Sequence, residues 1–299
     1  MPWLAVVLLG HLMNAGAFVV DKMLLRATVR QPAVYVFFIG ILNLVALVLV
    51  PWSTLTTPPT YVIVQGAISG GMFVLGLLGF FTALQRAEAT RVVPMFGALV
   101  SVWTILFASI LLGERLVGRE VVGVAALIAG AILISYESGN ATRQLNMRTI
   151  LEVLGAAAAF ALSATMLKAV FNSLGFLDGF LLTRAFNFAA VLPLLAWPVV
   201  RRTILSHEHF GGGVIRPLFL VGQVCGASGF MLLAWATELA EHISIVNALQ
   251  GVQYAFLFVL IYFLSRLKPR LLKEHWPRRL VVQKVSAIVI LSIGLGLVA

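Results

Sequence analysis

Charge is scarce in this chain, acids are few, and there is one cysteine. Of 299 residues, 11% are Asp, Glu, Lys or Arg, against about a quarter in ordinary soluble domains. That scarcity excludes a soluble globular protein of this length. The lone Cys225 permits no intramolecular disulfide, so the redox compartment is not legible. No Walker loop, HExxH helix or Cys/His cluster is present, which removes the usual carriers of nucleotide hydrolysis and zinc chemistry. No metal or cofactor is expected. Little sequence is left over for an extramembrane catalytic unit, and the chain does not read as an enzyme.

Apolar residues are abundant, at 61% of the chain with a mean hydropathy of +1.03. They fall into ten stretches bounded by charge, Pro or Gly: 2–22, 31–52, 61–84, 90–112, 118–136, 150–172, 176–199, 215–238, 244–265 and 281–298. A spanning helix needs roughly 20 such residues. Residues 1–20 lack a basic leader and run to full span length, so they read as the first helix, not a signal peptide. The expected fold is an all-α membrane protein of ten transmembrane helices.

The last five stretches repeat the first five. Lys22, in FVVDKML, matches Lys168, in SATMLKAV. ALQRAEA (83–89) matches ATELAEH (236–242), and Gly130 matches Gly294. A duplicated unit with an odd number of spans must enter the membrane in opposite senses. This predicts two inverted five-helix repeats, 1–139 and 140–299, with a substrate site at their interface.

The net charge of +10 is placed by topology. Of the 21 Lys and Arg, 17 lie in or beside the loops after odd-numbered spans, and the remainder are Arg115, Arg119, Lys168 and Arg184. The positive-inside rule puts the odd-numbered loops in the cytoplasm and both termini outside. Nucleic acid is therefore not expected as a partner; the lipid bilayer is, and the basic segment 266–284 is a candidate for anionic head groups.

The stretch AEATRVVPMFGALVSVWTILFASILLGERLVGREVVGVAALIAGAILIS resembles the half-repeat of the drug/metabolite transporter (DMT) superfamily, the EamA-type domain. The matching elements are a small-residue run leading to Pro94, the turn Leu112 to Leu116, and the Gly-rich helix from Gly123 to Gly130. The second half matches in pattern but lacks the Gly-Glu-Arg turn and carries Lys268 to Arg279 instead. The resemblance implies ten helices, a central cavity, alternating access and residence in a bacterial inner (plasma) membrane. It also implies cytoplasmic termini, against the charge count.

Polar groups inside hydrocarbon are costly and need a partner or a wet cavity. Asn247, Gln250 and Tyr254 share one face of span nine, with Gln253 at its margin; the matched face of span four carries Pro94, Gly97 and Ser101. Those positions read as a substrate cavity wall or as interhelical glue, and Pro94 and Gly97 as a hinge or as close packing. His11 and Asn14 in span one read as cavity groups or as structural hydrogen-bonders, with His11 also able to couple protons. Span one has no central carboxylate, which argues against the cation-exporting mechanism of small multidrug exporters. Arg184 and Asn187 in span seven are candidates for binding an anion, the alternative being a snorkelling Arg184. Lys22 and Lys168 read as mirror-related gates or interfacial anchors.

Glu88 and Glu241 each precede a helix start, and Glu114 is expected to pair with Arg115. Gly66 and Gly70 form a GxxxG face that serves packing within the bundle or a homodimer. The Gly226-Ala227-Ser228-Gly229 run resembles an intramembrane serine nucleophile, but the later histidines, His242 and His275, lie at a helix end and in a basic loop, and span ten has none, so it reads as small-residue packing. The leading function is a secondary transporter of a small polar or amphiphilic solute. The alternative is a non-transporting assembly factor or a lipid-head-group enzyme without recognised motifs.

Overall fold

The computed structural model describes residues 2–24, 32–54, 57–86, 89–116, 118–135, 146–205, 215–267 and 278–298. They form eleven α-helices: α1 (Pro2–Leu24), α2 (Pro32–Leu42), α3 (Thr60–Arg86), α4 (Ala89–Leu111), α5 (Arg119–Ser135), α6 (Met147–Val191), α7 (Pro198–Leu205), α8 (Ile215–Leu239), α9 (Ile243–Ala248), α10 (Gln250–Leu267) and α11 (Arg278–Val298). Two 3-10 segments, Asn43–Trp52 and Leu192–Ala196, continue α2 and α6. No strand occurs among the described residues. In hydrocarbon only helices and closed barrels satisfy every backbone group, and a chain of long apolar runs without alternating polarity adopts the first solution.

Local chemistry marks the helix ends. Proline is the first residue of α1, α2 and α7, where its missing N–H costs nothing. Asn146 caps α6, its side chain accepting from the Arg148 N–H at 3.4 Å. Within α6 the backbone breaks at Gly175 (φ 72°, ψ −177°). That region is essentially reserved for glycine, so one residue turns 45 helical residues into two legs, 147–174 and 176–191.

Six helical stretches are long and apolar enough to cross a membrane, and shorter apolar helices cover 95–111 and 224–239. Their outward faces are apolar: Val45, Val48, Leu75, Ile110, Val224 and Phe263 are each more than half exposed. Trp52 and Trp197 are exposed at helix ends, the positions where indoles anchor at the membrane–water boundary.

The most extensive packing is α3 on α6, then α1 on α8, then α5 on α11. The α3–α6 crossing is close because its small residues allow it. A Cβ on Gly70 would stand 2.6 Å from the Phe186 carbonyl carbon and 2.8 Å from the Asn187 nitrogen. On Gly66 it would stand 3.0 Å from the Phe186 ring. The GxxxG face is thus used within the chain. Nearby, Ser69 Oγ donates to the Ser163 carbonyl at 2.9 Å, and Ser163 Oγ donates to the Ser69 carbonyl at 2.7 Å. This contact should dominate stability. Gly70→Ala should cost about 1–3 kcal/mol, because backbone cannot give way as a side chain can. Gly71→Ala, with nothing within 4 Å of its Cβ, should be neutral or stabilise by up to about 1 kcal/mol. Thermal unfolding of the detergent-solubilised variants measures both.

Candidate functional site

Arg184 lies in the second leg of α6 and is 6% exposed. It does not snorkel. Its guanidinium lies 4.4 Å from the Phe230 ring, 5.0 Å from Phe180 and 5.8 Å from Phe73. Nη1 donates to Asn43 Oδ1 at 3.0 Å. The Asn187 amide is best satisfied with its carbonyl on the guanidinium, 3.1 Å from Nη1 and 3.3 Å from Nη2, and its nitrogen donating to the Thr183 carbonyl at 3.2 Å. The opposite orientation sets two acceptors against each other. Nε has no hydrogen-bond partner among the described residues. Neither does any described carboxylate pair with this cation.

The partners on other helices sit near the middle of their runs. Phe73 is the central residue of α3, Phe230 lies close to the centre of α8, and Asn43 is midway along the helical run 32–52. At Asn43 that run changes from α to 3-10 geometry, and Asn43 Nδ2 donates back to the carbonyls of Ile39 (2.9 Å) and Gly40 (3.3 Å). Its carbonyl is thereby turned toward Arg184. Spans two, three, seven and eight converge on one buried charge. Of these groups, the sequence reading identified Arg184 and Asn187 and missed Asn43 and the three phenylalanines.

The faces of spans four and nine meet directly. Asn247 Nδ2 donates to Thr104 Oγ1 at 2.8 Å, and Ser101 Oγ donates to the Asn247 carbonyl at 3.3 Å and to the Gly97 carbonyl at 3.1 Å. A Cβ on Gly97 would stand 2.6 Å from the Tyr254 hydroxyl, and Tyr254 is buried. The helix of span nine is interrupted at Leu249, between α9 and α10. Gln250, just beyond, is half-buried. Position 94 lies within continuous α4, but its side chain is outside the described residues.

His11 is buried on α1, its Nδ1 3.2 Å from Gln253 Oε1 on α10, while Nε2 has no partner among the described residues. Asn14 turns elsewhere, against Gly229 of α8, where an added Cβ would stand 2.3 Å from its Oδ1. His11 and Asn14 therefore serve different contacts.

Lys168 is buried and donates to the Glu238 carbonyl at 3.0 Å and the Ala240 carbonyl at 2.5 Å. A cation on the last carbonyls of a helix completes its C-terminus. The side chain of Lys22 lies outside the described residues.

Glu114 corrects an expectation. Instead of pairing with Arg115, it crosses to α9, where Oε1 accepts from the Ile243 N–H at 2.8 Å and Oε2 from Ser244 N–H (3.3 Å) and Oγ (2.9 Å). A carboxylate satisfies orphan donors at a helix start better than it serves beside an exposed arginine. Glu241, expected near that start, is exposed, and Glu88 lies outside the described residues. The turn between α8 and α9 is thus clamped twice, by Lys168 behind and Glu114 ahead. Glu114→Ala should accelerate hydrogen exchange of the Ile243 and Ser244 amides about tenfold, the equivalent of a cap of roughly 1–2 kcal/mol. Arg115→Ala should leave them unchanged.

Residues 1–136 match the EamA-like transporter family. That family lies within the drug/metabolite transporter superfamily, and the match implies a membrane transporter of that type. The protein is an integral membrane protein. No curated protein matches it. Among solved structures it is similar to one described only as "Crystal structure of protein", at 15% identity and a TM-score of 0.69, over 99% of this chain and 96% of that one. At that identity the likeness speaks for the fold alone.

Proposed function

We propose that the chain is a secondary transporter that moves a small polar or amphiphilic metabolite by alternating access between two inverted five-helix halves. The observation that carries this reading is a buried cation at mid-length of four helices that are mates in pairs. Spans two and seven correspond in the repeat, as do three and eight. A group shared by both pairs sits on the axis relating the halves, at the depth where inverted-repeat transporters hold substrate.

The repeat itself has support from packing. With α2 and α6 read through their 3-10 continuations, α6 split at Gly175 and α9 joined to α10, the helices make ten passes. The pairing of α3 with α6 has its mate in α1 with α8, and α4 with α6 has its mate in α1 with α10. At the α5–α11 crossing, a Cβ on Gly130 would meet Leu291 and one on Gly294 would meet Leu127. One offset of 164 residues exchanges both members of each pair.

Loop contacts also sort by side. Thr54 with Asp178, Glu114 with Ser244, and Lys168 with Ala240 join segments after even-numbered passes. Arg86 with Glu152, and Gln283 with the Leu133 carbonyl, join segments after odd-numbered ones. The charge asymmetry assigns the latter face to the cytoplasm of a bacterial inner membrane. Polar character differs between the halves. The repeat offsets carry His11 and Gln253 onto Ala157 and Val100, which share one apolar cluster. A fold that accepts an apolar pair at one crossing does not need a polar pair at the other, so His11 and Gln253 are assigned to function.

A thermal-shift screen of the purified protein against metabolites tests the proposal. A ligand at one hundred times its Kd adds about 2.7 kcal/mol of stability. The stabilising compound should then show counterflow into proteoliposomes holding the protein. A compound that binds specifically yet never crosses would favour the non-transporting alternative.

A further inference from the structure

Resting on the transporter reading for its context, we infer that the ligand held at Arg184 is a monocarboxylate with an apolar body and no ammonium group. Three observations select this class. The first is the edge of the guanidinium left over. Asn187 spans Nη1 and Nη2, and Asn43 takes Nη1 again, so the end-on edge is committed to amide carbonyls. Nε–H has no partner among the described residues. Together with the outward N–H of Nη2 it forms the side-on fork, which matches the two oxygens of a planar carboxylate.

The second observation is charge. Arg184 contributes one positive charge, and no described carboxylate pairs with it. A monoanion neutralises the site, whereas a phosphate dianion leaves a net negative charge among phenylalanines, where an unpaired charge is expensive. An amino-acid zwitterion brings an ammonium that needs its own acceptors, and the two nearby amide oxygens already face the guanidinium. The third is the surroundings. Phe73, Phe180 and Phe230 wall the guanidinium, and Phe73 and Phe230 touch each other at 5.9 Å between centroids. An aliphatic or aromatic body suits such walls, and a sugar does not.

The test uses the full-length protein in detergent with benzoate, benzamide, L-phenylalanine and inorganic phosphate as probes. Benzoate should raise the unfolding temperature by several degrees in a saturable way, and the other three should not. Arg184→Lys should weaken benzoate at least tenfold, since the charge stays but the fork is lost. Because Arg184→Gln could compromise folding, Asn187→Asp provides an independent arm. It places a carboxylate beside the guanidinium, so it should abolish the benzoate shift in a protein that still folds. Stabilisation by benzamide or phosphate equal to that by benzoate would overturn the inference, as would a full benzoate shift in Asn187→Asp. Benzoate binding without counterflow would count against transport while leaving the carboxylate assignment standing, so the two readings fail separately.

Discussion

One buried cation organises the centre of this molecule. Removing an arginine from water is costly, and truncating one partner of a buried charge commonly costs 3–5 kcal/mol because the other is left uncompensated. Arg184 is held by amide dipoles and ring faces, with no described carboxylate. That arrangement orients a guanidinium without neutralising it. The surrounding architecture follows from the need to bring those partners close. Gly66 and Gly70 let α3 approach the second leg of α6 until backbone meets backbone at Asn187. The change from α to 3-10 geometry at Asn43 aims its carbonyl inward.

At several other crossings the interior closes its polar groups locally. Thr104 and Ser101 bond Asn247, Ser69 and Ser163 bond each other's backbones, and Lys168 and Glu114 complete the helix ends on either side of the α8–α9 turn. The contrast gives the site its meaning. Against those closed crossings, Arg184 is a buried cation whose remaining fork has no partner among the described residues. Alternating access needs such a place, together with two halves able to rock about it.

Much of this was legible in the sequence, for physical reasons. Spans follow from hydrocarbon thickness, and a breaker such as Gly175 shows where one long helix must be two. Arg184 and Asn187 were visible because ionisable and amide groups are rare in apolar runs. Asn43 carried the same signal, as the sole amide between Gln31 and Trp52, but no companion at i+3 or i+4 drew attention to it. The phenylalanines were hidden, since nothing in the sequence distinguishes the walls of a site among twenty phenylalanines. Glu114 shows another limit: its motif was read, but its partner lies 129 residues away, beyond any local pattern. The short helix α7 fell in a stretch read partly as loop, because eight residues with two arginines do not register as a span.

The central claim is that one buried residue beside Arg184 is reached from both faces of the membrane. Asn43→Cys in a Cys225→Ala background tests it, with an impermeant thiol reagent applied to right-side-out and to inside-out vesicles. The account predicts slow but measurable labelling from each face. It also predicts that benzoate protects the cysteine from both. Labelling from one face only, or from neither, would contradict an alternating path through this site.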